Sequence, residues 1–157
     1  MLIQPAQPQD AAEILALQKL AYQSEAAIYG DHSIPPLTQT LDQMRADLER
    51  QTCLKATVDG CIVGSVRARL KESTCFVNRL IVHPDHQNRG IGTRLMAEIQ
   101  RAFAGVARFE LFTGHRSERN LCLYRKLGYR PCKQERVSEA LILVFLEKNH
   151  PPQQRSE

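Results

Sequence analysis

The chain has 157 residues, enough for one domain with a single substantial core. Hydrophobic residues make up 43% and charged residues 24%, which is typical of a globular protein and argues against disorder outside the ends. No apolar run approaches the ~18 residues of a membrane-spanning helix, and no secretory signal is visible, so we expect a cytoplasmic protein. The net charge of +4 favours an anionic ligand but is too small to indicate nucleic-acid binding.

Cysteine usage points away from metal and disulfide scaffolds. The number of cysteines is odd and no Cys-x-x-Cys pair occurs, so neither a zinc site nor a disulfide framework is expected. Scattered cysteines of this kind indicate reduced, mostly buried thiols. The five are Cys53, Cys61, Cys75, Cys122 and Cys132.

The N-terminal part is predicted to be a short strand over 2–6 followed by helices. Asp10 has the pattern of an N-cap, with Glu13 three residues later. We expect the first helix to fade over 24–30 and a proline-broken loop to follow over 31–36. A second helix is predicted because apolar residues recur at helical spacing at Leu37, Leu41, Met44 and Leu48.

A run of strands and helices is predicted for the rest of the chain. Strands over 53–58 and 61–70 flank Asp59-Gly60, a two-residue turn that is typical of hairpins. The elements after this hairpin are a strand over 73–82, a polar loop over 83–89, a helix that Gly105 ends, a strand over 108–112, a helix over 117–127 that Gly128 ends, and strands over 129–137 and 141–147.

The predicted order of elements is β-α-α-β-β-β-α-β-α-β-β. The strand–helix–strand unit from Thr74 to Phe112 implies a right-handed crossover and a parallel strand pair. We therefore predict a single-domain α/β (α+β) fold with a mixed central sheet over residues 1–148. Residues 149–157 are polar and broken by prolines, so a flexible C-terminal tail is expected there.

The most informative segment, 80–95, places a glycine-bearing loop between a strand and a helix. The first amides of a helix have no internal partner, and the helix dipole makes that end positive. Gly90 and Gly92 let an anion approach the backbone, and Arg89 and Arg94 add positive charge. The segment predicts a phosphate or pyrophosphate site, yet it matches neither a P-loop nor a dinucleotide-binding fingerprint.

Two motifs resemble those of the GCN5-related N-acetyltransferase (GNAT) superfamily. Its acyl-CoA loop reads Gln/Arg-x-x-Gly-x-Gly/Ala after a strand that ends in Val-x-Pro, and here 87–92 reads Gln-Asn-Arg-Gly-Ile-Gly after Val-His-Pro at 82–84. The segment 120–129 is similar to the other signature, an Asn followed by Tyr-x-x-x-Gly-Phe/Tyr. The motifs cover about 80–129, while the element order agrees over nearly the whole chain.

The resemblance implies an N-acetyltransferase that uses acetyl-CoA, bound between two parallel strands that splay apart. A primary amine would attack the thioester directly in a ternary complex, and Tyr124 matches the usual general acid for the thiolate. The cofactor-binding residues implied in this way are Leu80, Ile81, Val82, Gln87, Asn88, Arg89, Gly90, Ile91, Gly92, Thr93, Arg94, Asn120 and Tyr124. No metal is expected.

The general base stays open at the level of sequence. Many family members carry a glutamate on the strand before the glycine loop, and this chain has none there. Glu110 on the next strand is the nearest candidate, although a solvent-facing strand residue is an equally good interpretation. His83, His86 and His115 titrate in a useful range, and a water relay or a neutral amine would need no base.

The acceptor is expected near the first helix, the loop after it and the last hairpin. Tyr22, Glu25 and Tyr29 are candidate residues there, because carboxylates and polar groups suit a cationic amine. Antibiotic, polyamine, amino-acid and peptide acceptors all fit.

An alternative function is a catalytically weak acyl-CoA sensor or partner-binding module of the same fold. We expect neither nucleic acid nor membrane as partner; homodimers are common for this shape, and exposed edges of the final strands would hold a second copy.

Overall fold

A seven-stranded mixed sheet forms the centre of the protein, in the order β1-β2-β3-β4-β5-β7-β6. The structure is a computed structural model, and it describes residues 1–150. The strands are β1 Leu2–Pro5, β2 Thr52–Val58, β3 Cys61–Lys71, β4 Thr74–Val82, β5 Arg108–Gly114, β6 Arg130–Arg136 and β7 Ile142–Asn149. The helices are α1 Ala11–Ala21, α2 Gln23–Tyr29, α3 Pro35–Thr38, α4 Leu41–Arg50, α5 Ile91–Ala102 and α6 Glu118–Lys126. This architecture confirms the predicted mixed α/β fold.

The parallel pair β4–β5 opens soon after it begins. Only Thr74, Cys75 and Phe76 of β4 are in register with β5, opposite residues 108–110. Beyond that point β4 pairs only with β3, and β5 only with β7. Backbone N–H and C=O groups that face the gap therefore lack a strand partner and are available to a ligand. The splayed pair is thus a feature of this chain.

A β-bulge in β4 lies where the pair opens. Arg67 of β3 lies opposite Asn78, whereas Ser65, two residues earlier, lies opposite Ile81. The extra residue is accommodated at Arg79, whose φ is +52°, a conformation that residues other than glycine rarely adopt. A bulge bends its strand and redirects side chains. Arg79 consequently leaves the regular alternation of β4.

Two apolar clusters hold the helices on the sheet. The larger one is built on the buried face of α5, through Leu95, Met96 and Ile99, and includes residues of β2 to β5 and β7. The smaller one joins α1 and α4 to the sheet, through residues such as Ile14 and Met44. The larger cluster includes residues of both strands that flank the gap, and the smaller one includes Ile81 of β4. None of the helices within residues 1–150 is long and apolar enough to cross a membrane.

The N-terminal helices differ from the prediction in extent. Residues expected to fade out of the first helix form α2, and the expected loop contains α3, which starts at Pro35. Proline is tolerated there because the first residues of a helix need no N–H partner. The second predicted helix begins at Leu41 rather than Leu37, since Thr40 accepts a hydrogen bond from the Gln43 amide and caps α4.

Asp10 is the N-cap residue of α1, as predicted, but its side chain forms no capping hydrogen bond with that helix, because the two side chains of the predicted pair have other partners. Asp10 accepts a hydrogen bond from the Gln7 amide at 2.7 Å and thereby caps the 3-10 turn Pro8–Asp10. Glu13 instead accepts from the Ile62 amide at 3.0 Å, which joins α1 to β3. Helix α1 simply continues from the turn.

The predicted turn at Asp59-Gly60 and the predicted helix end at Gly128 are confirmed, whereas the predicted helix end at Gly105 is wrong. Asp59 and Gly60 have φ of +51° and +80°, which confirms the two-residue hairpin turn. Gly128, with φ of +94°, follows α6 as expected, whereas α5 ends before Gly105.

Strand β7 extends to Asn149, one residue past the predicted domain limit, and tail residues 151–157 lie outside the described part. The prediction of mostly buried cysteines is wrong, since three of the five are exposed: Cys61, Cys122 and Cys132.

Candidate active site

A cavity of about 730 Å³ lies between the splayed ends of β4 and β5. Its wall is completed by the start of α5, by α6, by the segment from α1 to α3, and by residues around the β6–β7 turn. This volume is in the range of cavities that hold small molecules and cofactors. The cavity thus brings together both sequence motifs and the N-terminal helices.

The glycine loop forms one part of this wall. Gly90 is the N-cap of α5 with φ of +81°, and no atom lies within 4 Å of the position that its Cβ would occupy. The space in front of the unpaired first amides of α5 is therefore open to an anion. Arg89 and Arg94, both exposed, do not line the cavity. The other eleven cofactor residues named from the resemblance do line it.

Arg119 of α6 is a site residue that the sequence analysis missed. Its guanidinium donates hydrogen bonds to Gln87 Oε1 and, at 2.7 Å, to Asn88 Oδ1. Asn88 has φ of +62°, so the loop turns sharply just before Gly90. Arg119 thus ties α6 to the glycine loop and brings positive charge to the cavity wall. No local pattern marks this contact, because it joins segments 31 residues apart.

Tyr124 is buried in the wall, with 7% of its surface exposed. Burial raises the pKa of its hydroxyl far above the ordinary value, and the neighbouring Tyr22, Tyr129 and Glu25 act in the same direction. The phenol therefore keeps its proton at any physiological pH. Within residues 1–150 no hydrogen bond engages this hydroxyl, which leaves it available to a ligand.

Glu25 of α2 is the carboxylate that lines the cavity. Its two oxygens accept hydrogen bonds from Ser117 Oγ and, at 3.3 Å, from Asn120 Nδ2. Asn120 also contacts Thr113 Oγ1 at 3.3 Å, so β5, α6 and α2 meet at this point. These donors fix the position of the carboxylate in the cavity wall.

A directed chain of hydrogen bonds stands behind Glu25. Because the Ser117 hydroxyl donates to Glu25, the Tyr29 hydroxyl, 2.7 Å from Ser117 Oγ, must donate to Ser117. Tyr29 in turn accepts from the Arg116 amide at 3.0 Å. Tyr29 therefore acts as a support that holds α2 against the β5–α6 loop.

Glu110, the base candidate named from the sequence, lies elsewhere. It is buried, forms an ion pair with Arg108 at 2.7 Å, and does not line the cavity. Of the three histidine candidates only His86 lines the cavity, while His83 and His115 do not. Glu25, and not Glu110, is therefore the carboxylate that lines the cavity.

Arg79 and Tyr22 face the same cavity. The Arg79 guanidinium carbon lies 5.9 Å from the centroid of the Tyr22 ring, a distance typical of a cation–π contact. Burial raises the pKa of Tyr22, the Arg79 charge lowers it, and the Glu25 charge raises it. Arg79 is thus packed beside Tyr22, and Glu25 follows Tyr22 by three residues in the chain. In the part of the chain that the structure describes, Arg79 forms no ion pair.

Comparison with known families agrees with this architecture. The model of the acetyltransferase (GNAT) domain matches residues 49–131, which include the β2–β3 hairpin, the glycine loop and Tyr124. The chain belongs to the GNAT acetyltransferase family. The resemblance inferred from the two motifs is thereby confirmed.

A curated relative of this GNAT protein is UPF0157 protein YqkA of Bacillus subtilis (strain 168), with 27% identity over 133 residues. The match covers 85% of this chain but only 38% of that protein. The chain therefore spans about two fifths of the length of the curated relative that it matches.

Solved structures share the fold of this GNAT protein at low sequence identity. The ribosomal-protein-S18-alanine N-acetyltransferase from Escherichia coli has a TM-score of 0.79 at 15% identity, covering 99% of both chains. The PaiA N-acetyltransferase from Thermoplasma acidophilum, in complex with coenzyme A, has a TM-score of 0.78 at 16% identity, covering 96% of this chain and 100% of the other. A GNAT acetyltransferase from Streptococcus pneumoniae has a TM-score of 0.76 at 21% identity, covering 94% and 98%.

Proposed function

We propose that this GNAT protein transfers the acetyl group of acetyl-CoA to a primary amine by direct attack in a ternary complex. The observation that carries the proposal is the convergence of three features in one cavity. They are the open N-terminus of α5 behind Gly90, a buried phenol at Tyr124, and a fixed carboxylate at Glu25. A cofactor site without catalysis would need only the first of these.

The residues present fit acetyl-CoA as the acyl donor. The amides that follow Gly90 offer a cradle for the pyrophosphate, and Arg119 adds positive charge beside the loop. The unpaired edge of β4 at Leu80–Val82 offers N–H and C=O groups to the amide-bearing pantetheine arm. Bound acetyl-CoA supplies the thioester whose acetyl carbon the amine attacks, with the thiolate as leaving group.

Proton transfer is assigned to Glu25 and Tyr124. Glu25 takes a proton from the ammonium form of the acceptor, which frees the nitrogen lone pair to form the C–N bond. As the C–S bond breaks, Tyr124 donates its phenolic proton to the sulfur. The proton that the nitrogen then loses restores the phenol, and Glu25 returns its proton to solvent. Products are the N-acetylated acceptor, free coenzyme A and one proton.

The first test is calorimetric titration of the protein with acetyl-CoA. We expect micromolar binding, and we expect Gly90→Val to abolish it, because valine is strained at φ of +81° and fills the open space in front of the helix. Gly60→Val is the matched control: Gly60 has φ of +80° and open space around it, but it lies at the tip of the β2–β3 hairpin. It should lose similar stability and still bind.

Two outcomes would contradict the proposal. Absence of binding by the wild type would mean that the glycine loop is only a structural turn. Binding without turnover on any amine of a broad panel, read as the mass of acetylated product, would favour the alternative of an acyl-CoA sensor of the same fold.

A further inference from the structure

The acceptor part of the cavity holds two fixed charges of opposite sign. We propose that the acceptor is an α-amino acid with an apolar side chain, whose ammonium binds Glu25 and whose carboxylate binds Arg79. This inference rests on the proposed function and specifies its substrate class. It assigns to Arg79 the role of a specificity-determining residue.

Glu25 is prepared for an ammonium group. Both of its oxygens are held by donors, Ser117 and Asn120, yet a carboxylate has about four lone-pair positions, so acceptor capacity remains for N–H groups of a ligand. Ser117 itself is held by Tyr29 at 2.7 Å. The carboxylate therefore faces the cavity in one orientation without a cationic partner among residues 1–150.

Arg79 is prepared for an anion. Its neighbour Arg67 is neutralised by Asp47, at 2.9 Å, whereas no carboxylate neutralises Arg79 within the described residues. The Tyr22 ring orients the guanidinium at 5.9 Å but leaves its charge in place. The bulge, with φ of +52° at Arg79, directs this residue to the cavity in a backbone conformation that residues other than glycine rarely adopt. A planar guanidinium in this setting matches a carboxylate.

The two charges lie on the same part of the cavity wall. Arg79 packs against the Tyr22 ring, Glu25 follows Tyr22 by three residues where α1 passes into α2, and all three residues line the cavity. In an α-amino acid the ammonium and carboxylate are separated by a single carbon atom. A ligand with both groups therefore neutralises both side chains, whereas a simple amine leaves Arg79 unpaired.

The remaining acceptor wall is apolar, which favours an apolar side chain on the amino acid. Polycations fit poorly, because Glu25 is the sole carboxylate among the cavity-lining residues of the described chain, and Arg79 would repel a second ammonium. The wall residues that share this apolar character are Ile34, Pro35, Pro36, Phe112, Val137 and Leu143.

The test compares ligands that differ in one group at a time. Phenylalanine, phenylalaninamide, phenethylamine and spermidine are assayed for kcat/KM with saturating acetyl-CoA. We expect phenylalanine to exceed the amide and phenethylamine by about tenfold or more, the value of one charge-assisted carboxylate contact. The two comparators lie on either side of phenylalanine in amine basicity, so basicity alone does not produce this order.

Charge-neutral variants then separate the two roles. Arg79→Gln should bring the ratio of kcat/KM for phenylalanine over phenylalaninamide close to one, and Glu25→Gln should lower both values by a similar factor. Arg69→Gln is the matched control for Arg79→Gln, because Arg69 is exposed on β3 and contacts Phe76 outside the cavity; the ratio should stay as in the wild type. Calorimetry of phenylalanine into the coenzyme A-saturated protein gives a readout without turnover, and Arg79→Gln should weaken that binding about tenfold.

The failures of the two proposals differ. If acetyl-CoA binds but spermidine or the amide is acetylated as well as phenylalanine, or if no member of the panel is acetylated, the amino-acid inference is overturned while cofactor binding stands. A ratio that Arg79→Gln leaves unchanged overturns the role of Arg79. If acetyl-CoA does not bind the wild type, the proposed function itself fails.

Discussion

At the scale of single residues, the Tyr124 hydroxyl carries the sharpest chemical prediction. It is buried, protonated and without a hydrogen-bond partner in residues 1–150. Tyr124→Phe removes only this hydroxyl, so we expect kcat to fall roughly 10²-fold, the scale of a lost general acid. The Kd for acetyl-CoA, measured by calorimetry, should change little because the ring still fills its place in the wall.

Tyr129→Phe is the control for this substitution. Tyr129 is 1% exposed, its hydroxyl accepts a hydrogen bond from Gln100 at 2.9 Å, and it does not line the cavity. Loss of the Tyr129 hydroxyl should lower the free energy of unfolding by about 1 kcal/mol and leave kcat as in the wild type. Equal kcat for Tyr124→Phe and the wild type would refute the role of Tyr124.

Site residues differ in how far the sequence alone predicts them. Gly90 and Tyr124 belong to local patterns whose spacing is fixed by one loop and one helix, so the sequence alone predicts both. The role of Arg79 depends on a bulge, and a bulge follows from the register between β3 and β4. Glu25 was named only as one polar residue among several, because its contacts with Ser117 and Asn120 join segments more than 90 residues apart.

At the scale of elements, the position of α2 depends on a close approach between Tyr29 and Gly114. A Cβ at Gly114 would overlap the Tyr29 hydroxyl and ring. Gly114→Ala should therefore displace α2, with a loss of about 1–3 kcal/mol in the free energy of unfolding measured by denaturant titration. Because Glu25 moves with α2, the KM for the amine should rise, while the Kd for acetyl-CoA should stay close to that of the wild type.

A double-mutant cycle checks the cause of this effect. Tyr29→Ala makes room for the added methyl group, so the loss in Gly114→Ala/Tyr29→Ala should be smaller than the sum of the two single losses. Additive losses would show that Gly114 is required for a reason other than the overlap with Tyr29.

Secondary-structure elements also differ in how far the sequence alone predicts them. The β2–β3 hairpin was predicted because Asp59 and Gly60 tolerate the positive φ that its turn requires. Helices α2 and α3 were missed because they have only seven and four residues. Helices of this length are marginal by themselves, and here contacts such as Tyr29 with Ser117 stabilise α2.

At the scale of the whole molecule, the pairing order of the strands decides where the site forms. The parallel neighbours β4 and β5 were predicted, since a strand–helix–strand unit permits little else. The position of β7 between β5 and β6 was not predicted, because the sequence does not show which strand of the last hairpin pairs with β5. This arrangement leaves β6 at the edge with all seven residues exposed, where a homodimer stays a prediction.

The buried core also sets a pH dependence of stability that is independent of catalysis. Cys75 is fully buried, and burial raises the pKa of its thiol from 9.0 to about 12. Below pH 9 the thiol is protonated in both states. Between pH 9 and 12 the unfolded chain releases the proton while the folded chain keeps it, so the free energy of unfolding falls by about 1.4 kcal/mol per pH unit for this group.

Cys75→Ala tests this linkage by urea titration under reducing conditions at several pH values from 8 to 11. The variant loses stability at pH 8 through the cavity that it creates, but its stability should decline less steeply above pH 9, by the contribution of one proton. Cys61→Ala is the control, because Cys61 is exposed in the folded state and should leave the slope unchanged. Equal slopes for Cys75→Ala and the wild type would mean that water reaches the thiol at the β4–β5 contact, where the pair is still closed. The gap between the strands would then extend further into the sheet than the register of three residue pairs indicates.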